Sequence, residues 1–216
     1  MHLRPHEDVA ERVLLPGDPG RALRLAQQLL DAPKMLNHHR GLWGYTGAAA
    51  DGAPLTIQST GLGGPSAAIV TEELVALGAR RLVRVGSCGA LADLPLGSLV
   101  IAEAIRARDG ASRALGADEE LPADPALLAA LRAAADGAAA GVVVSTDLYY
   151  DPAPGADEAV ALDLTAGAVF AVAARHGVAA AAAFVVSDRL AAGERIEPEA
   201  LEAAEVELGR VGAAAF

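Results

Sequence analysis

Residues 59–90 constrain the fold most, because they contain in succession the signals of a glycine-rich turn, a helix and an apolar strand. The turn GLGGP contains three glycines, which allow backbone angles that a side chain would forbid. Val70, Leu74 and Leu77 then follow at the i, i+4 and i+7 spacing of one buried helix face. We therefore predict a tight turn, a packed helix and a buried strand at residues 82–85.

Arg84 lies inside this apolar strand. A charge in a buried strand costs free energy unless it is paired. Two interpretations stay open: an ion pair with an acidic side chain, or an anionic ligand bound at the end of the strand. The segment GSCG at residues 86–89 predicts a turn there, and ligands of open α/β sheets bind beyond the carboxyl ends of strands.

Strand-like and helix-like segments alternate along the whole chain. Apolar strands are expected at residues 9–15, 42–48, 54–60, 82–85, 99–104, 141–144 and 178–187. Besides the helix after the glycine turn, helices are expected at residues 22–30, 125–135, 164–176 and 198–211. This alternation predicts an α/β fold: a single domain over residues 1–216, with a central mixed β-sheet flanked by helices.

The remaining segments are expected to be connections. Residues 106–124 are charged and contain glycine, which predicts an exposed loop, and residues 151–157 contain proline and glycine. In the last helix, Leu201, Val206 and Leu208 are expected to face inward and the glutamates outward.

The composition argues against several classes of protein. No run approaches the ~20 apolar residues of a membrane span, and the polar start of the chain does not resemble a secretory signal, so no membrane partner is expected. The single cysteine, Cys88, cannot form an internal disulfide, which favours a cytoplasmic location. A net charge of −11 with 3% aromatic residues argues against nucleic-acid binding.

A second glycine turn, PGDPGR, follows the first predicted strand. Asp18 can cap the next helix, and Pro19 suits its first position. This geometry aims backbone N–H groups at an anion beside Arg21, although the Gly-Lys-Ser/Thr ending of a Walker loop is missing. An ordinary strand-to-helix turn with a solvated Arg21 is the alternative.

The adjacent histidines His38 and His39 invite a metal site. Neighbouring side chains in a strand or turn point apart, and no Cys or carboxylate lies at ligand spacing. No metal is therefore expected.

Three motifs occur in order along the chain: LLPGDPGR at residues 14–21, GLGGPS at residues 61–66 and VRVGSCG at residues 83–89. Together they resemble motifs of the nucleoside phosphorylase I family, and most closely those of its hexameric bacterial purine nucleoside phosphorylases. The resemblance covers nearly the whole chain. It implies a three-layer fold and an enzyme, a pentosyltransferase, that cleaves a nucleoside with inorganic phosphate into a free base and ribose 1-phosphate. Phosphate is then a co-substrate, and no cofactor is expected.

The resemblance also implies which residues bind the phosphate. Gly17, Arg21, Arg84 and Ser87 would come from one subunit, and Arg40 from a neighbouring subunit. Arginine suits phosphate because its planar fork can donate two parallel hydrogen bonds. We therefore expect a homo-oligomer, a hexamer built of dimers, with shared active sites.

The nucleoside half of the site is implied in the same way. Leu62, Tyr149 and Leu164 would line the base and ribose pocket, and a histidine from the neighbour's N-terminus, His2 or else His6, would approach the ribose.

Asp188, in the segment VSDR, resembles the acid that faces the purine. It would stabilise the negative charge of the leaving base, and an acid at neutral pH needs a raised pKa, for instance by burial. Its alternative role is to cap a turn or to pair with Arg189 or Arg195.

One run departs from the family pattern. The family usually carries Glu-Met-Glu where this chain has Asp163, Leu164 and Thr165, and the second glutamate normally accepts hydrogen bonds from the ribose hydroxyls. Threonine is shorter and neutral, which makes it a weaker acceptor. A purine nucleoside phosphorylase is favoured. A uridine phosphorylase, a nucleosidase that uses water, and a weakened homologue that binds phosphate or a nucleoside stay open as alternatives.

Overall fold

The computed structural model describes residues 1–150 and 158–216, so the connection predicted at residues 151–157 lies outside the described residues. The described part forms one sheet of eleven strands. In chain order they are β1 (Arg12–Leu15), β2 (Asp31–Asn37), β3 (Gly44–Ala48), β4 (Pro54–Gln58), β5 (Arg81–Ala90), β6 (Leu99–Ala107), β7 (Glu120–Pro122), β8 (Ala139–Ser145), β9 (Ala161–Asp163), β10 (Ala179–Arg189) and β11 (Glu194–Arg195).

Helices connect these strands. They are α1 (Pro19–Leu29), α2 (Gly64–Ala76), α3 (Gly110–Ala114), α4 (Pro125–Ala134), α5 (Ala166–His176) and α6 (Pro198–Ala214), with a 3-10 turn at His39–Gly41. Within the two described ranges, none of the helices has both the length and the apolar character needed to cross a bilayer.

The sheet is mixed, as predicted. Strands β4, β1, β5 and β10 lie side by side and run parallel. From β10 the sheet continues through β6, β8 and β9, and β9 pairs antiparallel with β5, so that five strands close into a ring. Because β1, β5 and β10 are parallel, their carboxyl ends meet at the same edge.

Helices cover the sheet on both sides, which confirms the predicted flanking helices. Helices α2, α3 and α5 pack against one another, whereas α1 and α4 pack against α6. Both α5 and α6 contact β5 and β10. This double coverage explains why β10 is almost entirely Ala and Val, since residues 180–186 are all buried.

Several predicted boundaries are wrong, and each has a local cause. The segment at residues 86–89 is not a turn, because β5 continues to Ala90 while it pairs with β10 and β9. The first strand starts at Arg12, later than residue 9. Residues 106–124 are not one exposed loop, since they contain α3 and β7. Strand β2 was not predicted. Five of its residues are exposed and only Leu36 and Asn37 are buried, so its sequence lacks the alternation of apolar and polar residues that indicates a strand.

The side chain of Asp109 is fully buried and lies beside the N-termini of α2, α3 and α5. Its carboxylate accepts hydrogen bonds from the backbone N–H of Ser112 at 2.8 Å and from Ser112 Oγ at 2.6 Å, at the beginning of α3. A Cβ on Gly64 or Gly167, at the starts of α2 and α5, would lie within 2.8 or 2.4 Å of a carboxylate oxygen. A negative charge at converging helix N-termini is favourable.

We expect Asp109→Ala to lower the free energy of unfolding by about 2 kcal/mol, because it removes a cap and leaves a buried hydroxyl without its acceptor. Urea unfolding measures this loss. Asp118→Ala, at an exposed position in the same region, is the control and should change stability by less than about 0.5 kcal/mol. Equal stability of the two variants would contradict the role given to Asp109.

Candidate functional site

A cavity of about 640 Å³ opens at the edge where β1, β5 and β10 end. Ten of the twelve site residues predicted from the sequence line it: Gly17, Arg21, Leu62, Arg84, Ser87, Tyr149, Asp163, Leu164, Thr165 and Asp188. The other two, His2 and Arg40, do not line the cavity. The cavity residues fall into two groups by their contacts, one around the two arginines and one around Asp188.

Arg84 is buried, and an ion pair with an acidic side chain, the first interpretation of its charge, is confirmed, whereas the anionic ligand stays a prediction. Its Nη1 donates to the carbonyl oxygens of Leu15 and Val85, at 3.0 and 3.2 Å, and its Nη2 lies 3.7 Å from Asp163 Oδ2. The guanidinium is therefore ion-paired and also forms part of the cavity wall. A Cβ at position 86 would lie 2.6 Å from Nη2, so the backbone there must be glycine. Burial, together with the charge of Arg21, lowers the pKa of Arg84 to about 10.

Asp163 is the counterion of Arg84 and also caps a helix. Its carboxylate accepts a hydrogen bond from the backbone N–H of Ala166, at 2.9 Å, where α5 begins. Burial raises the pKa of this carboxyl, although Arg84 acts in the opposite direction. Thr165 is buried two residues further on and faces the cavity. The Asp163 carboxylate is already engaged by Arg84 and by the backbone N–H of Ala166. The nucleoside-binding roles of Asp163 and Thr165 stay predictions.

Arg21 is buried, so the interpretation of a solvated side chain is wrong. The predicted cap is confirmed, since Asp18 Oδ1 accepts from the Arg21 backbone N–H at 2.6 Å. The guanidinium donates from Nη2 to Glu205 Oε1 at 2.5 Å.

Glu205 is a residue that the sequence analysis missed. It is buried, so the prediction that all glutamates of the last helix face outward is wrong. The sequence does contain a pattern that indicates this burial. Glu205 lies four residues after Leu201 and three before Leu208, on the helix face predicted to point inward.

Asp188 forms the second group. Ser187 Oγ donates to its Oδ2 and Arg195 Nε to its Oδ1, each at 2.7 Å, and Asp188 and Arg195 are paired neighbours in β10 and β11. Burial acts to raise the pKa of Asp188, but Tyr149, Ser187 and Arg195 outweigh it and lower that pKa. The expectation that burial would give a raised pKa is therefore wrong. The alternative of an ion pair with Arg195 is confirmed.

Tyr149 and Leu62 complete the cavity in different ways. Burial, and then the negative charge of Asp188, raise the pKa of Tyr149 to about 12, so the phenol keeps its proton. Leu62 is 83% exposed, which places it at the rim.

His2 and Arg40 lie close together on the surface. The His2 backbone carbonyl is 3.0 Å from Nδ1 of His39, the residue before Arg40, and Glu73 of α2 holds the His2 backbone N–H. Arg40 is exposed, and its backbone is in the left-handed region with φ 61°. Such strain in a non-glycine residue is frequent at functional positions. The donation of both side chains to a neighbouring subunit stays a prediction.

The adjacent histidines point apart, as expected. His38 stacks on His6 with ring centroids 5.7 Å apart, whereas His39 turns to His2. In the part of the chain that the structure describes, no three His, Cys, Asp or Glu side chains group as metal ligands would.

We expect Arg195→Gln to raise the pKa of Asp188, because it removes the positive charge and the hydrogen bond that favour the ionised carboxylate. Carboxyl carbon chemical shifts of protein labelled with ¹³C-aspartate, followed against pH, measure this pKa. The matched control is Arg189→Gln, since Arg189 is the next residue in the sequence but pairs with Asp93 and Glu194. An unchanged titration in Arg195→Gln would show that Arg195 does not hold Asp188 ionised.

Comparisons with known proteins agree with this geometry. The family model described as the phosphorylase superfamily matches residues 11–215. The DeoD-type purine nucleoside phosphorylase of Caldanaerobacter subterraneus subsp. tengcongensis is 44% identical over 97 residues, which cover 44% of this chain and 41% of that protein. The uridine phosphorylase of Thermococcus kodakarensis is 44% identical over 107 residues, 49% of this chain and 38% of that protein. The chain thus matches about two fifths of the length of these curated relatives.

A solved structure extends the likeness to the whole fold. The crystal structure of uridine phosphorylase from Vibrio fischeri ES114, complexed with 6-hydroxy-1-naphthoic acid, matches with a TM-score of 0.85 and 27% sequence identity. The match covers 96% of this chain and 91% of that one. With a family match over residues 11–215 and a shared fold, the chain belongs to the phosphorylase superfamily.

Proposed function

We propose that this chain is a nucleoside phosphorylase that cleaves a nucleoside, preferably a purine nucleoside, with inorganic phosphate. The products would be the free base and ribose 1-phosphate. The observation that carries the proposal is one cavity that contains two buried arginines, Arg21 and Arg84, together with the carboxylate of Asp188.

The proposed chemistry needs both groups of residues. A phosphate oxygen forms a bond to C1′ while the glycosidic C1′–N bond breaks, and the electron pair leaves with the base. Positive charge builds on the sugar and negative charge on the base. Phosphate held by Arg21 and Arg84 stabilises the first, and a proton donated by Asp188 stabilises the second.

Asp188 can donate a proton only if it first becomes protonated. Its contact with Arg195 lowers its pKa, so at neutral pH the carboxylate is ionised. We propose that a bound base loosens this ion pair, since the base would occupy the space between Tyr149, Asp188 and Arg195 in the cavity wall. The preference for purines rests on Asp188, which resembles the acid that faces the purine and which lines the cavity.

A second candidate function is favoured by Thr165. This buried residue stands where the resemblance expects a glutamate that accepts hydrogen bonds from ribose. The neighbouring carboxylate of Asp163 is engaged by Arg84 and by the start of α5. A homologue that binds phosphate or a nucleoside but turns it over slowly would show this arrangement.

We also propose that the protein acts as a homo-oligomer built of dimers, in the cytoplasm. The surface that carries His2 and Arg40 also carries exposed apolar side chains, among them Met35 in β2 and Trp43 in the connection between the 3-10 turn and β3. Exposed apolar side chains of this kind suit contact with a second copy. The cytoplasmic location rests on Cys88, a buried and unpaired thiol.

We expect base release from inosine, guanosine and adenosine only when phosphate is present, and slower release from uridine. Chromatography of the free base measures it. Arg84→Gln should lower kcat/KM for phosphate, referred to the concentration of folded enzyme, on the order of 100-fold, because an anion contact is lost. Arg113→Gln, at an exposed position of α3, is the control.

Three outcomes separate the candidates. Equal release without phosphate would contradict phosphorolysis and indicate a nucleosidase. Stabilisation by phosphate without base release would favour the binding homologue. Faster cleavage of uridine than of purine nucleosides would contradict the purine preference alone.

Shared active sites predict complementation between two inactive variants. Arg40→Ala and Asp188→Asn should each lose activity, and a mixture refolded at 1:1 should recover about a quarter of the wild-type activity. In a two-fold symmetric dimer, half of the dimers are then mixed, and one site of each mixed dimer is intact. Mixing without any gain would contradict the donation of Arg40 across an interface.

A further inference from the structure

Glu205 forms a buried ion triad that the sequence did not reveal. Its Oε1 accepts from Arg21 Nη2 at 2.5 Å, and its Oε2 accepts from Arg24 Nη2 at 2.6 Å. The side chains of Arg21 and Glu205 are only 7% and 4% exposed. A buried carboxylate between two arginines is costly unless each contact is well formed, so this triad fixes the positions of its members.

The packing of α1 against α6 fixes the position of Glu205 relative to the arginines of α1. Arg21, Arg24 and Leu25 lie on one face of α1, at the i, i+3 and i+4 spacing. Gly209 lies one turn after Glu205 on α6, and a Cβ there would come within 2.2 Å of Leu25 Cδ2. The two helices therefore approach as closely as glycine allows, and Glu205 faces the arginines directly.

The hydrogen bond from Arg21 to Glu205 uses one nitrogen of the guanidinium. Glu205 occupies Nη2, while the buried Nε has no hydrogen-bond partner among the described residues. Arg21 also lines the cavity. A free arginine loses rotamer entropy when it is immobilised on a ligand, and a carboxylate that already restricts the side chain removes much of that loss.

The charge of Glu205 does not cancel the attraction of the site for an anion. Glu205 is shared by Arg21 and Arg24, and Arg24 also contacts the exposed Glu202 at 3.6 Å, so the charge of Glu205 is divided between Arg21 and a second cation. Because Arg24 shares the negative charge of Glu205, the guanidinium of Arg21 keeps part of its positive charge for the cavity that it lines.

We propose that Glu205 is the positioning residue of the phosphate half-site: it holds the Arg21 guanidinium in the orientation that binds phosphate. This inference rests on the proposed function. Glu205 does not touch the reacting atoms, and it acts through Arg21 alone.

The test is Glu205→Gln, which keeps the shape of the side chain but removes the charge that holds both arginines. The KM for phosphate should rise about tenfold or more, as expected for a weakened hydrogen bond to a charged group, while the KM for the nucleoside changes less than about twofold. Glu205→Asp, which keeps the charge but shortens the reach, should raise the KM for phosphate as well.

Glu202→Gln is the matched control. Glu202 lies one turn before Glu205 on α6, is 61% exposed and contacts Arg24 at 3.6 Å, but it makes no ion pair with Arg21. Its loss should leave the KM for phosphate unchanged. A rise equal to that in Glu205→Gln would overturn the inference.

A double-mutant cycle separates positioning from simple support of the fold. In an Arg21→Ala background, Glu205→Gln should raise the KM for phosphate no further, because the residue through which it acts is gone. Additive losses would overturn the inference.

Thermal shifts with inorganic phosphate give a readout that does not depend on turnover. Phosphate should raise the Tm of the wild type more than that of Glu205→Gln. A stabilised wild type with an equally stabilised variant would overturn the inference alone. A wild type that is neither stabilised by phosphate nor active with it would overturn the proposed function and the inference together.

Discussion

The ion pair between Arg84 and Asp163 ties together the parts of the structure that form the site. Arg84 lies on β5, the strand that pairs with β1, β9 and β10. Asp163 ends β9, and its carboxylate both balances the charge of Arg84 and accepts a hydrogen bond from the first residue of α5. Removing either partner would leave the other as an uncompensated buried charge, which is strongly destabilising.

The charges beside this pair explain how an acidic protein could attract an anion. Arg21 and Arg84 are buried beside the cavity, where Glu205 and Asp163 pair with them, and Glu205 is shared with Arg24. The whole chain has a net charge of −11. An anion is therefore drawn to the site by nearby oriented donors and not by the overall field.

The other side of the cavity has the opposite electrostatic character. Asp188 is kept ionised by Arg195, and Tyr149 beside it keeps its proton. One cavity thus combines two buried arginines with a carboxylate whose pKa is lowered by Tyr149, Ser187 and Arg195. The second group can change its protonation with modest movement, because Arg195 is 65% exposed and Asp188 lies at a strand end.

The sequence by itself determined the features that depend on a few neighbouring residues. The Asp18 cap, the glycine turns and the spacing of apolar residues act within one or two turns of chain. The three motifs contain five of the ten predicted residues that line the cavity, and the resemblance they carry pointed to the other five. The tertiary structure alone decided the rest. Glu205 meets Arg21 across 184 residues, and Arg195 meets Asp188 only because β11 pairs with β10. Such contacts depend on how closely helices and strands approach, which is set by packing of the whole core and not by local spacing.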